Sequence, residues 1–476
     1  MHPLFRIQHV FVFLLVIVEA TRMMGQEKPA SLPRTLYPLP RYEEDWSFLS
    51  DPAKRNDFWE PIKFVPLTED KNVFLSLGGE IRETYERFHN TNFGLSPDDP
   101  DGYLLQRHLF HVDFHAGRRF RVFGELNSSL EDGRTGGPRP VVDQDKLDVH
   151  QGFVDLLVIR SREDSSLTLR IGRQEMAFGS GRLVALREGP NVPLSFDGFR
   201  VSWKSPGWQV DGFATRPVQD KPGIFDDPPQ HDFAFWGVYA SHPLSHQTAK
   251  TKLDFYYLGL DRKRAVFNQG SGHEKRHTLG VRFWGQHRQW QYDAEGIYQF
   301  DDFGLGTISA WRVAADNWYS FSSVRWHPRI GLATDIASGD KDPANPDLET
   351  FNSLFQSGTY SGRAQILGPN NAIRLEPQIG LVFSERMTFS AGWGFFWRTS
   401  TNDALYGIPG NVIVPSNGVK SRYEGSRPIV ELDWQLTRHL SAHVNYIFVF
   451  NARFEEQSVH GTPNMSFISP WLTYRF

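Results

Sequence analysis

The dominant pattern along the chain from residue 71 onward is an alternation of apolar and polar residues. In "VFLSLGGEIRETYERF", Val73 and Leu75 take one face, while Glu80 and Arg82 take the other. Successive side chains of a β-strand point to opposite faces, so a period of two predicts strands with one apolar and one charged face. The same alternation returns in "PIVELDWQLT" and "LSAHVNYIFVF". These runs approach the length of a tilted membrane strand.

Turn signals divide residues 71–476 into about eighteen such strands, an even number in the range of outer-membrane barrels. Short links alternate with long segments rich in Gly, Pro and Asp. The short links are 116–118, 204–207, 384–386 and 437–439, and the long segments are 89–102, 131–147, 217–232, 339–362 and 400–425. In outer-membrane barrels the short turns face the periplasm and the long loops face outward. The pattern predicts an all-β fold, a transmembrane antiparallel β-barrel, with a large soluble β-sandwich or propeller as the alternative.

The last residues continue the alternation to the end of the chain. Phe476, Tyr474 and Leu472 share a face opposite Arg475, which indicates a final strand that closes the barrel against the first one. A terminal aromatic after alternating apolar positions also resembles the tag that the outer-membrane insertion machinery recognises. Pro470 cannot donate to the strand ladder, and we expect a bulge there.

The first 25 residues read as an export signal. Arg6 precedes the apolar run Val10–Val18, which is too short to span a bilayer, and the small residues Ala20 and Gly25 follow it. A short membrane anchor is the alternative, but Glu19 ends the run. The mature protein is therefore expected outside the cytoplasm.

Residues 26–70 are rich in proline and isolated aromatics and show no strand or helix period. Two interpretations stay open for this N-terminal periplasmic extension. One is a disordered periplasmic lead or a docking segment for another envelope protein, such as a periplasmic export protein, and the other is a plug. A plug would bury its aromatic residues, Trp46, Phe48, Phe58 and Trp59, in or under the barrel.

The composition agrees with a barrel. Aromatic residues make up 14% of the chain, yet charged residues are 22% and the mean hydropathy is −0.44. Alternating strands average to a polar hydropathy while they present apolar side chains to lipid, so the bacterial outer membrane is the predicted location. The absence of cysteine excludes disulfides and thiolate metal sites, and the net charge of −4 gives no basis for nucleic-acid binding.

The most specific motifs lie in residues 169–204, which contain "GRQE", "FGSGRL" and "SFDGFRV", and in "ASGDKDPANPDLETFNSLFQSGTYSG". They resemble the alginate-export family of outer-membrane proteins. The resemblance implies a monomeric eighteen-stranded barrel that passes a polyanionic uronate polysaccharide through an arginine-lined lumen. Carried over residue by residue, it points to Arg173, Arg182, Arg187, Arg200 and Arg363. The family's long periplasmic gating turn is replaced here by "TRH".

The alternation itself places Arg82, Arg121, Arg170 and Arg200 in the lumen. Arg173 instead has the phase of the lipid-facing positions, unless Gly172 marks a bulge that resets the register. The guanidinium fork binds carboxylates in two-point fashion, so these arginines suit a polyuronate. The alternative is a ladder of salt bridges that only braces the lumen.

Other chemistry is weakly indicated. "HEKRH" (273–277) matches the H-E-x-x-H zinc motif by letter, but it lies in a predicted strand, where positions four apart are about 13 Å from each other. The loop carboxylates Asp340, Asp342 and Asp347 suit calcium but lack the calcium-hand spacing, which favours a solvated loop. We therefore expect no catalytic residue, no cofactor and no enzymatic activity.

The sequence predicts an outer-membrane channel that passes an acidic oligo- or polysaccharide. Its expected partners are membrane lipid, that saccharide and the insertion machinery. Two other functions stay open: a general diffusion porin on the same fold, and a secreted glycan-binding β protein.

Overall fold

The computed structural model of the protein describes residues 37–160, 165–244, 250–358, 362, 364, 366–459 and 462–476. The predicted signal peptide lies outside these residues. Eighteen strands form one antiparallel sheet in which each strand pairs with its chain neighbours. They are β1 Val73–His89, β2 Tyr103–Ala116, β3 Phe120–Asp132, β4 Asp145–Arg160, β5 Ser166–Gln174, β6 Phe196–Lys204, β7 Gln209–Pro217, β8 Phe233–Pro243, β9 Lys250–Phe267, β10 Gly270–His287, β11 Trp290–Phe303, β12 Gly306–Ser320, β13 Arg329–Ala337, β14 Ala372–Ser384, β15 Met387–Arg398, β16 Tyr423–Gln435, β17 Leu440–Val449 and β18 Met465–Arg475.

The sheet closes on itself because β18 pairs with β1. The pairing runs from Glu80 opposite Arg475 to His89 opposite Ser466. Gly79 and Phe476 then exchange both backbone hydrogen bonds, at 2.9 and 3.1 Å. The predicted role of the last residues as the closing strand is thereby confirmed. The bulge expected at Pro470 is wrong, because Pro470 pairs with Val444 of β17 without a register shift.

The two faces of the barrel wall have the predicted polarities. Glu80 and Arg82 are 3% and 8% exposed on the lumen side, whereas Ile171 and Phe199 are 53% and 50% exposed on the outside. An apolar exterior with a charged interior inverts the distribution of a water-soluble protein. It is the distribution that a hydrocarbon surrounding requires, since every backbone group of a closed barrel is paired within the protein.

The connections follow the predicted asymmetry, with two exceptions. The long-loop end, which we call extracellular, carries residues 90–102, 133–144, 175–195, 218–232, 338–371, 399–422 and 450–464. The opposite, periplasmic end has mostly short turns such as 117–119 and 436–439. The exceptions are the tight extracellular turns after β9 and β11, where the β9–β10 and β11–β12 hairpins extend beyond the neighbouring strands β8 and β13.

Few other elements occur in the described part of the chain. Of two short α-helices, α1 Glu60–Lys63 precedes β1, and α2 Arg453–Ser458 lies between β17 and β18. Four 3₁₀ turns and three short strands complete the structure: Arg41–Glu43, Ser47–Ser50, Pro52–Lys54, Thr91–Gly94, Val65–Pro66, Leu405–Tyr406 and Val412–Val414. No described helix has the length and apolar character needed to cross a bilayer.

Candidate functional site in the barrel lumen

A ladder of alternating charges runs across neighbouring strands on the periplasmic half of the lumen wall. Asp155 of β4 lies directly opposite Arg121 of β3 and directly opposite Arg170 of β5. Arg170 binds both oxygens of Asp155 at 2.8 and 2.9 Å, and Arg121 binds Asp113 of β2 in the same way at 2.7 and 2.8 Å. Period-two alternation puts all four side chains on one face, so cross-strand pairing alone brings them together.

The ladder continues onto β6 and β7, but the alternation of positive and negative side chains is interrupted there. Arg200 of β6 lies directly opposite Arg170, so two guanidinium groups are neighbours there. Arg200 is neutralised by Asp211 of β7, with nitrogen–oxygen distances of 2.9 and 2.8 Å. Arg170, which is neutralised by Asp155, also packs its guanidinium 3.7 Å from the ring centroid of Phe153, and its Nη1 has no hydrogen-bond partner among the described residues. That nitrogen is buried, so it is an unpaired donor within the lumen wall.

The ladder borders a cavity of about 500 Å³. Its lining contains four cationic side chains, two carboxylates and several hydroxyls: Arg121, Arg170, Arg200, Lys204, Asp155, Glu43, Ser166, Thr168 and Ser202. Tyr42 and Gln209 complete the lining. A concave space lined by guanidinium, ammonium and hydroxyl donors matches a solute that carries carboxylates and hydroxyl groups.

A second charged cluster lies where the barrel closes. Glu80 accepts hydrogen bonds from Arg107 of β2 at 2.8 Å and from Arg475 of β18 at 2.8 Å, and Arg82 lies 3.2 Å away. Glu188 reaches in from the 175–195 loop and binds Arg82 at 2.9 Å and Arg107 at 3.2 Å. Burial opposes its ionisation, but Arg107 and Arg82 outweigh it and hold the pKa of Glu188 at about 2.

The 175–195 loop folds into the lumen, and we call it the inner loop. Met176 and Val184 are each 1% exposed. Arg182 is also 1% exposed and binds carboxylates on the far wall: Asp293 at 2.7 Å, Glu295 at 2.9 Å and Asp316 at 3.0 Å. Because this arginine spans from the loop to β11 and β12, it anchors the inner loop across the lumen.

The loop 338–371 also enters the lumen and meets the inner loop there. The Phe355 N–H donates to Leu183 O at 2.8 Å, and the Ala185 N–H donates to Phe355 O at 3.0 Å. The two loops therefore pair like strands in the middle of the barrel. Together they narrow the passage between the extracellular side and the cavity beside the arginine ladder.

The predicted site residues fall into three groups. Arg82, Arg121, Arg170 and Arg200 lie in the lumen as the alternation predicted, and Arg182 lies there through the inner loop. Arg187 lies at the extracellular end, where it donates to Val141 O at 3.1 Å and lies 3.2 Å from Asp220. Arg363 lies outside the described residues.

Arg173 is a correction to the lumen set. Neither strand ladder beside it shows a register shift at Gly172, so Arg173 keeps the phase of Ile171. Its guanidinium binds Asp197 in two-point fashion, at 2.9 and 3.0 Å, and donates to Asp227 O at 2.8 Å. The residue belongs to the extracellular rim, because a bulge is required to turn it inward and none is present.

The acidic loop candidates are not brought together as a metal site. Asp340 and Asp342 accept backbone N–H bonds from their own turn, and Asp347 accepts from Thr307 N and Oγ1 at 2.8 and 2.9 Å. Among the residues that the structure describes, the acidic group with metal-like spacing is a different one, at the start of β4. The H-E-x-x-H letters lie in β10, as expected, with His273 bound to Asp261 and His277 to Asp301.

Arg107 and Arg475 were missed as site residues, although their signal was available. Both hold the inward phase of their strands, since Arg107 lies directly opposite Arg82 and Arg475 directly opposite Glu80. Tyr42 gave no such signal, because the segment around it has no period.

The extension packs against the periplasmic mouth, and we call residues 37–64 the mouth segment. Arg41 donates to Gly79 O and Phe476 O, each at 2.9 Å. Tyr42 packs edge-on against both Phe123 and Phe153, with centroid distances of 6.3 and 5.7 Å. Its side chain thereby becomes part of the lumen wall next to the arginine ladder.

Two further contacts hold the mouth segment. Trp59 stacks on Phe476 at 4.3 Å between centroids and donates to the Tyr474 hydroxyl at 2.7 Å. Arg438 of the short 436–439 turn binds Glu60 at 2.7 Å. Of the aromatics proposed to fill a plug, Trp46 is 8% exposed, whereas Phe48 and Phe58 are 45% and 83% exposed.

Lys63 of α1 is buried inside this contact. Burial lowers the pKa of its ammonium to about 8, although Glu44, whose Oε2 lies 3.2 Å away, acts in the opposite direction. A Cβ atom at Gly78 would lie only 2.4 Å from Lys63 Nζ. Glycine at this position of β1 therefore provides the room that the lysine occupies.

Solved structures of similar fold include outer-membrane proteins of Pseudomonas. OpdK from Pseudomonas aeruginosa, crystallised with vanillate, is 13% identical with a TM-score of 0.56, over 84% of this chain and 98% of that one. A BenF-like porin from Pseudomonas fluorescens Pf-5 is 10% identical with a TM-score of 0.56, over the same shares of the two chains. OccK3 (OpdO) from Pseudomonas aeruginosa is 11% identical with a TM-score of 0.55, over 84% and 95%. No curated protein sequence matches the chain significantly.

The closed eighteen-stranded barrel, its apolar exterior and its charged lumen define an outer-membrane β-barrel channel of a bacterium. The family described as alginate export matches residues 73–458, which is most of the chain. The protein therefore belongs to the alginate export family, as its motifs predicted.

Proposed function

We propose that the channel passes an acidic oligo- or polysaccharide along the arginine ladder. The observation that carries the proposal is the 500 Å³ cavity, whose lining brings Arg121, Arg170, Arg200 and Lys204 together with several hydroxyl groups. Membership of the alginate export family supports a carboxylate-bearing saccharide as the solute. The proposal assigns no catalytic step to the chain.

The ladder suits transport better than tight binding. Each guanidinium already has a carboxylate partner. A uronate carboxylate would therefore displace Asp155 or Asp211 from its arginine for a short time, and the aspartate would bind again when the uronate moves on. Conduction requires binding that favours entry but is weak and repeated enough to allow exit. The hydroxyl-bearing side chains of Thr168 and Ser202 line the same cavity and suit the hydroxyl groups of a sugar.

A porin for small solutes is the second candidate function. The inner loop and the 338–371 loop pair inside the barrel, which leaves less room for a polymer than an open barrel would. OpdK, one of the solved structures of similar fold, was crystallised with vanillate, a carboxylate. Both candidates use the same cationic lining, so the length of the solute distinguishes them.

Planar-bilayer recordings on the purified full-length protein test the proposal. A short oligouronate should block the ionic current, and a neutral oligosaccharide of equal length should block it much less. Arg170→Gln and Arg200→Gln should each weaken the oligouronate block by about tenfold, because a hydrogen bond to a charged group contributes about 1.5–3 kcal/mol. Arg288→Gln removes the same charge from an exposed periplasmic turn and serves as the matched control.

Equal block by charged and neutral sugars would refute the ladder as the binding path. Block or permeation by small carboxylates alone would favour the porin. Heat-modifiable gel migration of each variant shows whether the barrel has folded.

A further inference from the structure

Three aspartates at the extracellular rim form a compact oxygen cluster. Asp145 and Asp148 begin β4, and Asp227 comes from the 218–232 loop. One carboxylate oxygen of each residue lies within 4.8 Å of the corresponding oxygens of the other two. Calcium–oxygen distances are about 2.3–2.6 Å, so oxygens on opposite sides of one calcium ion are about 5 Å apart. The spacing therefore suits three ligands of a single ion.

An unpartnered oxygen points to a missing ligand at this cluster. Asp145 is only 2% exposed, and its Oδ2 accepts a hydrogen bond from Asn127 at 2.8 Å. Its Oδ1 is buried without a hydrogen-bond partner. Leaving a buried carboxylate oxygen unpaired is costly, and such groups are normally paired or coordinate metals.

The surrounding space is small and acidic. Asp145, Asp148 and Asp227 line a cavity of about 10 Å³ together with Asp220 and neighbouring side chains. A volume of this size holds about one water-sized occupant. The cluster therefore has room for one ion and no room for an organic group.

The nearby arginines do not neutralise the cluster. Arg173 lies 3.5 Å from Asp148, but its guanidinium is already bound in two-point fashion by Asp197. Arg187 binds Asp220 at 3.2 Å rather than a member of the cluster. The three carboxylates of the cluster therefore have only Arg173 nearby, and Arg173 is also shared with Asp197. This leaves negative charge in the cluster that a cation could balance.

We propose that Asp145, Asp148 and Asp227 bind a divalent cation, and that calcium is the ion. Calcium accepts irregular sets of oxygen ligands, whereas magnesium requires a near-ideal octahedron. The ion would fasten the 218–232 loop to β4, where the Phe225 N–H already donates to Leu147 O at 2.9 Å.

The site would also stabilise the entrance beside the inner loop. Arg187 of the inner loop binds Asp220 of the same 218–232 loop. Fixing that loop therefore also fixes one attachment of the inner loop. The inference does not depend on which solute the channel carries.

Equilibrium dialysis with radioactive Ca²⁺ tests the proposal. The protein is refolded in detergent without lipopolysaccharide and stripped with a chelator. The unaltered protein should bind one Ca²⁺ per chain, and Asp145→Asn and Asp227→Asn should each weaken that binding at least tenfold. Asp226→Asn removes the same charge from the exposed neighbouring residue and should leave binding unchanged.

Protease protection provides an independent readout. Phe225 is 58% exposed, so we expect chymotrypsin to cleave the 218–232 loop there. Ca²⁺ should slow that cleavage in the unaltered protein and in Asp226→Asn but not in the two cluster variants. The proposal is overturned if the folded barrel shows no saturable Ca²⁺ binding, if Asp145→Asn binds as well as the unaltered protein, or if equimolar Mg²⁺ displaces the bound Ca²⁺. Heat-modifiable migration confirms that each variant is folded.

Discussion

Replacing Tyr42 by alanine should release the mouth segment while leaving the barrel intact. The ring is 8% exposed and packs edge-on against Phe123 and Phe153, with Arg170 at 4.2 Å from its centroid. Truncation of a buried aromatic residue costs about 3–5 kcal/mol, of which each aromatic pair accounts for about 0.5–1.5 kcal/mol. We take about 3 kcal/mol, because the ring is at the edge of a cavity. The undocked population should then rise roughly 100-fold.

The cysteine-free chain makes this population measurable. Leu49 of the mouth segment is 0% exposed, so a single Leu49→Cys thiol reacts with a maleimide only when the segment opens. When opening and closing are fast relative to labelling, the labelling rate follows the open population. Tyr42→Ala in the Leu49→Cys background should therefore label roughly 100-fold faster, with the barrel melting temperature unchanged.

Phe58→Ala provides the matched control, because Phe58 belongs to the same segment but is 83% exposed. It should leave the labelling rate unchanged. Equal labelling rates in the Tyr42→Ala and parent proteins would refute the view that the ring holds the segment. If the segment also plugs the pore, single-channel conductance should rise in Tyr42→Ala and in a chain truncated to Lys71. If Tyr42→Ala labels faster but its conductance is unaltered, the mouth segment docks on the barrel without obstructing the channel.

Two further predictions concern buried charges. Glu80→Gln leaves Arg82, Arg107 and Arg475 without their shared carboxylate and should destabilise the barrel by about 3–5 kcal/mol. Thermal unfolding in detergent measures this loss, and an unchanged melting temperature would contradict the stabilising role of the cluster. Glu455 of α2 is 0% exposed, and burial raises its pKa to about 8, so the folded state retains a proton that the unfolded state has lost. Stability should therefore fall as the pH rises from about 4 to 8, and Glu455→Gln should flatten that dependence; a parallel pH profile for the variant would contradict it.

The alternation predicted the wall of the barrel because it is a local property. Once Glu80 and Arg82 were assigned to one face of β1, their position in the lumen followed from the pleat alone. The same reasoning gave Arg173 the outer phase, and the structure agrees with it. The family motif had suggested a lumen arginine there, so at this position the periodicity was the better guide.

The interior of the barrel was not predictable in the same way. Arg182 meets Asp293 and Asp316 only because the inner loop crosses the lumen, and no sequence period encodes that path. The rim cluster joins Asp145 and Asp148 to Asp227, which is 79 residues further along the chain from Asp148. Contacts of this kind depend on which loops are neighbours around the barrel, and a single sequence does not show the shape of those loops.

The contact of Arg41 with the last residue imposes an order on assembly. Its guanidinium bridges Gly79 O and Phe476 O, two carbonyls that come together only when β18 has paired with β1. The mouth segment therefore has no complete binding site on a barrel whose final strand is missing or misaligned. Its docking follows closure of the barrel, and a docked segment indicates that β18 has paired with β1.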